Sequence, residues 1–488
     1  MNIITNLLLP GLIIANYGSE INGLISSTKA IVAYISIVGA GIATATTQAL
    51  YEPVANNNVS RVKGMLHATN KMFNKYGFLY CVIAIVAAFT YPFFIHSKIK
   101  YITVFLLMIV VSISGASEFF AIGRCRSLLY AHQKTYVCTT IQAVSLLLSL
   151  LLALFMLKAN TNIILVQLSI SCVYIFRAFL LTSYINKNYP EYKDYRNANP
   201  IKAAVEKRGD AMIHQLSGLA VQGSQTTILT IVLGLEAASI YSIYNIVFSG
   251  LQSICSNLST AVTPFMGKEL ALKNNDRLLK MYDLTEFVFF SLVSFIYSVA
   301  IVLVVPFVSV YTRKADISYI FPFFASIFTV SSAFYILKLP SNALINISGQ
   351  FKETRWRAIL EATLTVVLGV LFTVLIGLEG VVIGTAIALL WRCIDTIVYT
   401  NKRVLKCSNF KSLFRLTRVL ILIMLFYISS LLHPISCSNY REWIYYAVIY
   451  CSLSFVLIIL NSLLFDRQTL RFALLSIYKK KGCSNKEV

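Results

Sequence analysis

Apolar runs follow one another along almost the whole chain, and nothing else in it restricts the fold so severely. They fall at roughly 3–15, 24–50, 76–95, 101–122, 135–157, 162–186, 210–233, 237–265, 284–311, 317–337, 358–377, 380–400, 419–433 and 442–464. One helix needs about 20 apolar residues to cross a hydrocarbon core about 30 Å thick. Inside lipid the backbone must satisfy itself, which leaves helices or closed barrels. Fourteen runs in 488 residues leave no loop large enough for an independent soluble domain. The expectation is an all-α polytopic membrane protein with about fourteen transmembrane helices. Charged residues make up 13%, against about 25% in soluble domains. The first run is too short to span, which we read as a truncated helix behind a misplaced start codon rather than a re-entrant segment. The opening MNIITNLLLPGLII has no basic n-region or convincing cleavage site, so it does not read as a signal peptide.

The loops set the expected topology. Lys and Arg number 42 against 20 Asp and Glu, a formal charge of +22. In a soluble chain that surplus would point to nucleic acid. Here loops on one side hold 32 of the cations and loops on the other side 6, the bias that marks cytoplasmic loops. Both termini are expected in the cytoplasm, with an even number of spans and no nucleic-acid partner.

The chain also repeats itself. At an offset of 216 residues Gly18 meets Gly234, Glu20 meets Glu236, Ser26 meets Ser242, Asn58 meets Asn274 and Arg61 meets Arg277. At 215, Arg177 meets Arg392, Tyr184 meets Tyr399 and Lys187 meets Lys402. Six spans separate each pair, so the repeat is parallel, a transporter design. The expected organisation is two pseudo-symmetric six-helix lobes plus two C-terminal helices. The boundaries are an N-lobe at 1–190, a basic connector at 191–209, a C-lobe at 210–402, then spans 13 and 14 with a basic tail at 403–488.

Cations inside spans are the candidate site residues. Arg177 sits in span 6 and Arg392 in span 12. An Arg at the bilayer centre costs at least about 2.5 kcal/mol and is usually turned to a bundle interior or wet cavity. The functional reading is a cationic pair gripping an anionic head group, because guanidinium donates to phosphate in a fixed fork. The competing reading is snorkelling or structural pairing, and Asp395, three residues after Arg392, can neutralise it. Counted in helical steps, Lys29 in span 2 shares approximately one face with Ser36, Thr44 and Thr47. Cavity lining and a hydroxyl-rich helix contact both fit that stripe. Span 7 carries His214, Gly218, Gln222 and Gln225 at helical spacing, a row expected to face the lumen or the other half. Arg124, Arg126 and Lys338 lie near the inner ends of spans 4 and 10. They extend a basic vestibule or simply follow the charge rule. The intramembrane acids Glu118, Glu361 and Asp395 all lie near cations or interfaces, which favours an anionic cargo.

Several chemistries have no sequence support. The ten cysteines form no CxxC pair, so no metal site or disulfide framework is expected. No phosphate-binding G-x-x-x-x-G-K-[ST], HExxH or nucleophile elbow occurs. The chain is expected to be no enzyme and to need no cofactor.

Five segments carry a family resemblance: YGSEINGLISS at 17–27, LYEPVANNN at 50–58, SIYSIYN at 239–245, GQFKETRWRAILEA at 349–362 and GLEGVVIGT at 377–385. In order and spacing they resemble polysaccharide (O-antigen, Wzx-type) flippases of the multidrug/oligosaccharidyl-lipid/polysaccharide exporter superfamily. The resemblance covers nearly the whole chain. It implies two lobes around a cavity in a bacterial inner membrane. It implies alternating-access transfer of an undecaprenyl-pyrophosphate-linked oligosaccharide from the cytoplasmic to the outer leaflet. The implied partners are that lipid-linked glycan, the bilayer, and a polysaccharide polymerase and chain-length regulator. The family's cationic lumen matches Lys29, Arg177 and Arg392 in type. The rival readings are a lipid II flippase, whose family places several basic residues in the first helices where this chain has only Lys29, and a multidrug or cation antiporter, which should carry a buried N-lobe acid. A polysaccharide polymerase would need a large outer loop, and each outer loop here has about ten residues or fewer.

Overall fold

The computed structural model describes residues 2–39, 41–95, 97–201, 208–272 and 274–471. The described chain is helical throughout, in seventeen α-helices. They are α1 (Asn2–Tyr17), α2 (Ser19–Ile35), α3 (Ile42–Ala55), α4 (Val59–Phe94), α5 (Tyr101–Ser117), α6 (Gly123–Ala131), α7 (Thr135–Lys158), α8 (Ile163–Asn188) and α9 (Arg208–Val232). Then follow α10 (Leu235–Ala271), α11 (Asn275–Tyr311), α12 (Pro322–Leu337), α13 (Leu339–Ile347), α14 (Phe351–Ile376), α15 (Leu378–Tyr399), α16 (Phe410–Leu432) and α17 (Tyr440–Phe465). Among the described residues eleven helical stretches are long and apolar enough to cross a membrane. The spans expected at α1, α9 and α10 are different. α1 is short, with an apolar stretch of Leu7–Tyr17. α9 and α10 have the length, 25 and 37 residues, but dilute their apolar residues with Ser, Gln, Thr and Asn. The run expected at 24–50 is built from two helices, α2 and α3, and the spans expected at 101–122 and 317–337 extend past their apolar runs into second helices, α6 and α13.

By its internal contacts the chain forms two compact units. Unit 1 is Met1–Ile243 with Lys314–Ile317 and Ala358–Val366, and unit 2 is Tyr244–Arg313, Ser318–Arg357 and Val367–Val488. In unit 1 the core gathers Leu24, Met65, Phe73, Tyr80, Met108 and Phe119 from α2, α4 and the α5–α6 span. In unit 2 Phe248 packs on Phe328 (4.8 Å between ring centres) and Tyr244 on Phe324 (5.1 Å). The buried hydroxyl of Tyr244 donates to Tyr319 O at 2.8 Å, as a buried polar group in a dry core must. Trp443 ties α17 to α11 through a hydrogen bond to Leu303 O at 3.1 Å. The rest of α17 exposes Val448, Leu453, Phe455, Val456, Leu460 and Leu464, a surface for acyl chains.

The repeat is built into each unit as the same turn. Asn58, at φ −85° and ψ 83°, accepts from the Arg61 amide at 3.0 Å and starts α4. Asn274, at φ −87° and ψ 81°, accepts from the Arg277 amide at 3.2 Å and starts α11. Both are side-chain N-caps. Each turn also carries an ion pair to the preceding helix, Arg61–Glu52 at 2.8 Å and Arg277–Glu269 at 3.5 Å.

Three sequence expectations need correction. The stripe through Lys29, Ser36, Thr44 and Thr47 assumed one unbroken helix. The span breaks at the 3-10 turn Ser36–Gly39 and at Gly41, which takes φ +80°, so the residues before and after the break do not share a helical face. The Thr44 side chain lies outside what the structure describes. The stretch 401–418, whose six cations are among the 32 assigned above to loops on one side, is not all loop: α16 begins at Phe410, and Arg415 is buried inside unit 2. The connector at 191–209 is partly built in as well, because Ile201 N donates to Gly64 O at 3.1 Å and Ala198 O meets His67 Nδ1 at 2.6 Å.

Candidate functional site

Lys29 is exposed on α2, a helix most of whose remaining length is buried. The character of the exposed surface separates this helix from its neighbours. α4 exposes Phe78, Leu79, Val82, Ile85, Val86, Phe89 and Phe93, while α2 and α3 up to Leu50 expose no large apolar side chain. Beside Lys29 the exposed residue is Ala33, with Ser26 and Ser36 half-buried. A helix face of small and polar groups around an ammonium suits water, whereas the α4 face suits lipid. Among the described residues no carboxylate pairs with Lys29.

The partners of α2 hold this face in place. α9 packs along it, and close approach is possible because Gly223 lies opposite Tyr34; a Cβ there would stand 3.1 Å from the Tyr34 hydroxyl. Asn22 Nδ2 donates to Ser239 Oγ at 2.8 Å and Ser242 Oγ at 3.0 Å. Of the polar row predicted on span 7, Gln222 and Gly218 are exposed on α9, while Gln225 is buried and donates to Val221 O at 2.7 Å. The His214 side chain lies outside the described residues.

The start of α2 is capped from far along the chain. Gly18, at φ +86°, has no side chain to cap with. Asp316 takes the role: Ser19 N donates to Asp316 Oδ1 at 3.0 Å and to Oδ2 at 3.2 Å, and the Ser19 hydroxyl donates to Oδ1 as well. Burial raises the Asp316 carboxyl, but the Ser19 hydrogen bonds outweigh it and hold the group below the usual carboxylate range. A carboxylate lowered by folding stabilises above its unfolded pKa, and that stabilisation is lost as pH falls through the lowered folded value. Asp316→Ala should therefore cost about 1 kcal/mol, the usual worth of a cap. The thermal-melting difference from wild type should be full at neutral pH and shrink below about pH 4.

Arg177 is half-buried on α8 and donates from Nη2 to Gln142 Oε1 on α7 at 3.3 Å. Its Nε has no partner among the described residues. Cys138 lies within electrostatic reach of Arg177, Arg126 and Glu118, and Arg126 pairs with Glu118 at 2.5 Å. Arg124 donates to Asn70 Oδ1 at 2.7 Å and to the Tyr195 hydroxyl, and it stacks on the Tyr195 ring at 4.9 Å. It thus fastens the connector to α4.

In unit 2 Arg392 is buried and pairs with Asp395 at 2.9 Å. Arg357 of α14 pairs with the other Asp395 oxygen and lies 4.7 Å from the centre of the Tyr399 ring. Lys338 is buried at the α12–α13 junction, 4.8 Å from the centre of the Tyr335 ring. Unit 1 therefore holds Lys29, Arg177, Arg124, Arg126, Gln222 and Gln225, while unit 2 holds Arg392, Asp395 and Lys338. Among the described residues no group of three His, Cys, Asp or Glu is placed to hold a metal ion.

Sequence reasoning missed one cluster entirely. In unit 2 Arg415, 2% exposed, is held by Asp283, Glu286 and Asp466. Two signals were available: Arg415 and Arg418 run directly into the apolar residues of α16, and Glu286 stands inside the ninth apolar run.

No protein-family model matches the chain, and no curated protein matches it. Solved structures do. An inward-facing multidrug resistance MATE-family transporter of the MOP superfamily aligns with a TM-score of 0.68 at 13% identity, covering 86% of this chain and 95% of that one. The lipid II flippase MurJ, in an inward closed conformation, aligns with a TM-score of 0.70 at 13% identity, covering 96% of this chain and 97% of that one. An outward-facing MATE-family transporter of the same superfamily gives 0.58 at 13% identity over 86% of this chain and 92% of that one. The chain has the all-helical fold that these multidrug transporters and the lipid II flippase share.

Proposed function

We propose that this protein carries a polyprenyl-pyrophosphate-linked oligosaccharide from the cytoplasmic to the outer leaflet of a bacterial inner membrane, by alternating access. One observation carries the reading: Lys29 is kept exposed, without a carboxylate partner among the described residues, on a helix face without large apolar groups. An uncompensated ammonium in a span is costly, and a diphosphate is the charge that would compensate it. A diphosphate and a hydrated glycan cannot enter hydrocarbon unaided, so a polar protein face must stand in for water while the polyprenyl tail stays in lipid.

Arg177 is the second cargo contact in this reading, since its half-buried guanidinium gives only Nη2 to Gln142. Arg392 is bound to Asp395, so we assign it to holding α15 rather than to gripping cargo. Gln222 offers a neutral amide to the glycan. A cationic drug is the poorer cargo for a face whose one charge among the described residues is positive. Deleting the protein should trap the lipid-linked glycan on the cytoplasmic leaflet, read by its protection from glycan-specific enzymes added outside spheroplasts. Normal arrival of the glycan at the outer face would overturn the proposal. Arrest of peptidoglycan synthesis instead would identify lipid II as the cargo.

A further inference from the structure

The second apolar run reads as one span, yet it is bent. α2 ends at Ile35, a tight 3-10 turn covers Ser36–Gly39, and α3 resumes at Ile42 after Gly41 at φ +80°. That backbone region is costly for most side chains and open to glycine. The repeat counterpart, α10, runs unbroken from Leu235 to Ala271. Residues 36–41 contain no proline, the commonest cause of a kink, so the glycines carry the bend.

The bend is seated on a second irregularity in unit 1. Between α5 and α6, residues Glu118–Ile122 form a π turn, a wide turn that recurs at functional sites. Phe119 lies in that turn. A Cβ on Gly39 would stand 2.2 Å from the Phe119 ring, and one on Gly77 would stand 3.0 Å from Phe119 Cβ. The ring also packs 5.1 Å from Tyr80 and 6.4 Å from Phe73. Tyr80 is held in turn by its hydrogen bond to Ser112 O at 2.9 Å and by space that only glycine leaves at Gly115. Phe119 therefore sits in a socket with glycine on two sides, and one of those glycines belongs to the bend.

We propose that the turn Ser36–Gly39, with Gly41, is a hinge of the second span and that Phe119 is the positioning residue holding its bent state. In another state of the cycle the ring leaves Gly39 and the span straightens as α10 does. Lys29 lies seven residues before Ser36, on the arm that swings, so bending re-aims the cation. The purpose of the hinge rests on the transport reading above; its geometry does not.

Hydrogen exchange on the purified full-length protein reads the hinge without any cargo. Amides of residues 37–43 should exchange at least tenfold faster than those of residues 24–33. Exchange as slow as in α2 would overturn the hinge. Compensation tests Phe119. Gly39→Ala should cut glycan export at least tenfold at unchanged protein abundance. Phe119→Ala alone should keep at least a third of export, and the double variant should match Phe119→Ala. Wild-type export by Gly39→Ala, or a double variant as inactive as Gly39→Ala, would overturn the role of Phe119. Should Gly39→Ala lose abundance, the Tm of the two variants decides: recovery in the double variant supports the seating, and no recovery overturns it. A fast-exchanging hinge in a protein that never exports glycan would leave the hinge and remove only the cargo.

Discussion

Replacing Arg415 with alanine is expected to destabilise the protein by about 3–5 kcal/mol and to remove most of it from the membrane. Its guanidinium donates from Nη1 to Asp283 Oδ1 at 2.8 Å and Glu286 Oε2 at 3.0 Å, and from Nη2 and Nε to Asp466 Oδ1 at 2.7 and 3.0 Å. Ser412 adds a hydrogen bond to Glu286 at 3.0 Å, and Arg418 pairs with the second Asp466 oxygen. One side chain therefore joins α11, α16 and the end of α17. Removing it leaves three carboxylates around a vacated buried position, and breaking such a cluster from one side costs about 3–5 kcal/mol. Arg415→Lys should be intermediate, because one ammonium cannot serve three acceptors with the geometry of a planar fork. Thermal melting in detergent and membrane abundance measure both variants. An alanine variant as abundant and as heat-stable as wild type would contradict this account of the cluster.

The second large effect is functional. Lys29→Ala and Lys29→Gln should lower glycan export at least a hundredfold with little change in abundance, because Lys29 is exposed and supports no ion pair among the described residues. Lys29→Arg should keep most of the export, since the charge remains and guanidinium also binds phosphate. Export measured beside an immunoblot separates the two effects. Equal export by Lys29→Gln and wild type would remove the cation from the mechanism. An abundance loss as large as that of Arg415→Ala would recast Lys29 as structural.

The fold was legible where one physical rule acts alone. Hydrocarbon thickness sets the length of an apolar run, so α7, α8, α15 and α17 stand within a few residues of the runs that announce them. The helix starts Asn58 and Asn274 were visible as repeat matches before they were seen as caps. What failed depends on two forces at once. α4 begins 17 residues and α11 nine residues before their apolar runs, because a cap fixes where a helix starts and hydropathy does not. Gly39 and Gly41 were in plain view, but a glycine inside an apolar run reads as packing until its φ or its neighbour is known. Arg415 resembled every other cytoplasmic cation, since its partners Asp283, Glu286 and Asp466 lie 51 to 132 residues away in sequence.

The site was legible in part for the same reason. A cation in an apolar run must be either presented to water or neutralised, and sequence alone cannot separate the two. Lys29 is exposed with no carboxylate partner among the described residues, whereas Arg392 is buried and paired with Asp395. The Asp316 cap on Ser19 joins residues 297 apart, and no local pattern announces it.

The binding of undecaprenyl diphosphate to the purified protein, followed by native mass spectrometry, tests most directly whether Lys29 grips a lipid-linked phosphate. Wild type and Lys29→Arg should bind the diphosphate lipid, and Lys29→Gln should bind it at least tenfold more weakly. Equal binding by Lys29→Gln and wild type, or equal affinity of wild type for undecaprenol lacking the phosphates, would contradict the account.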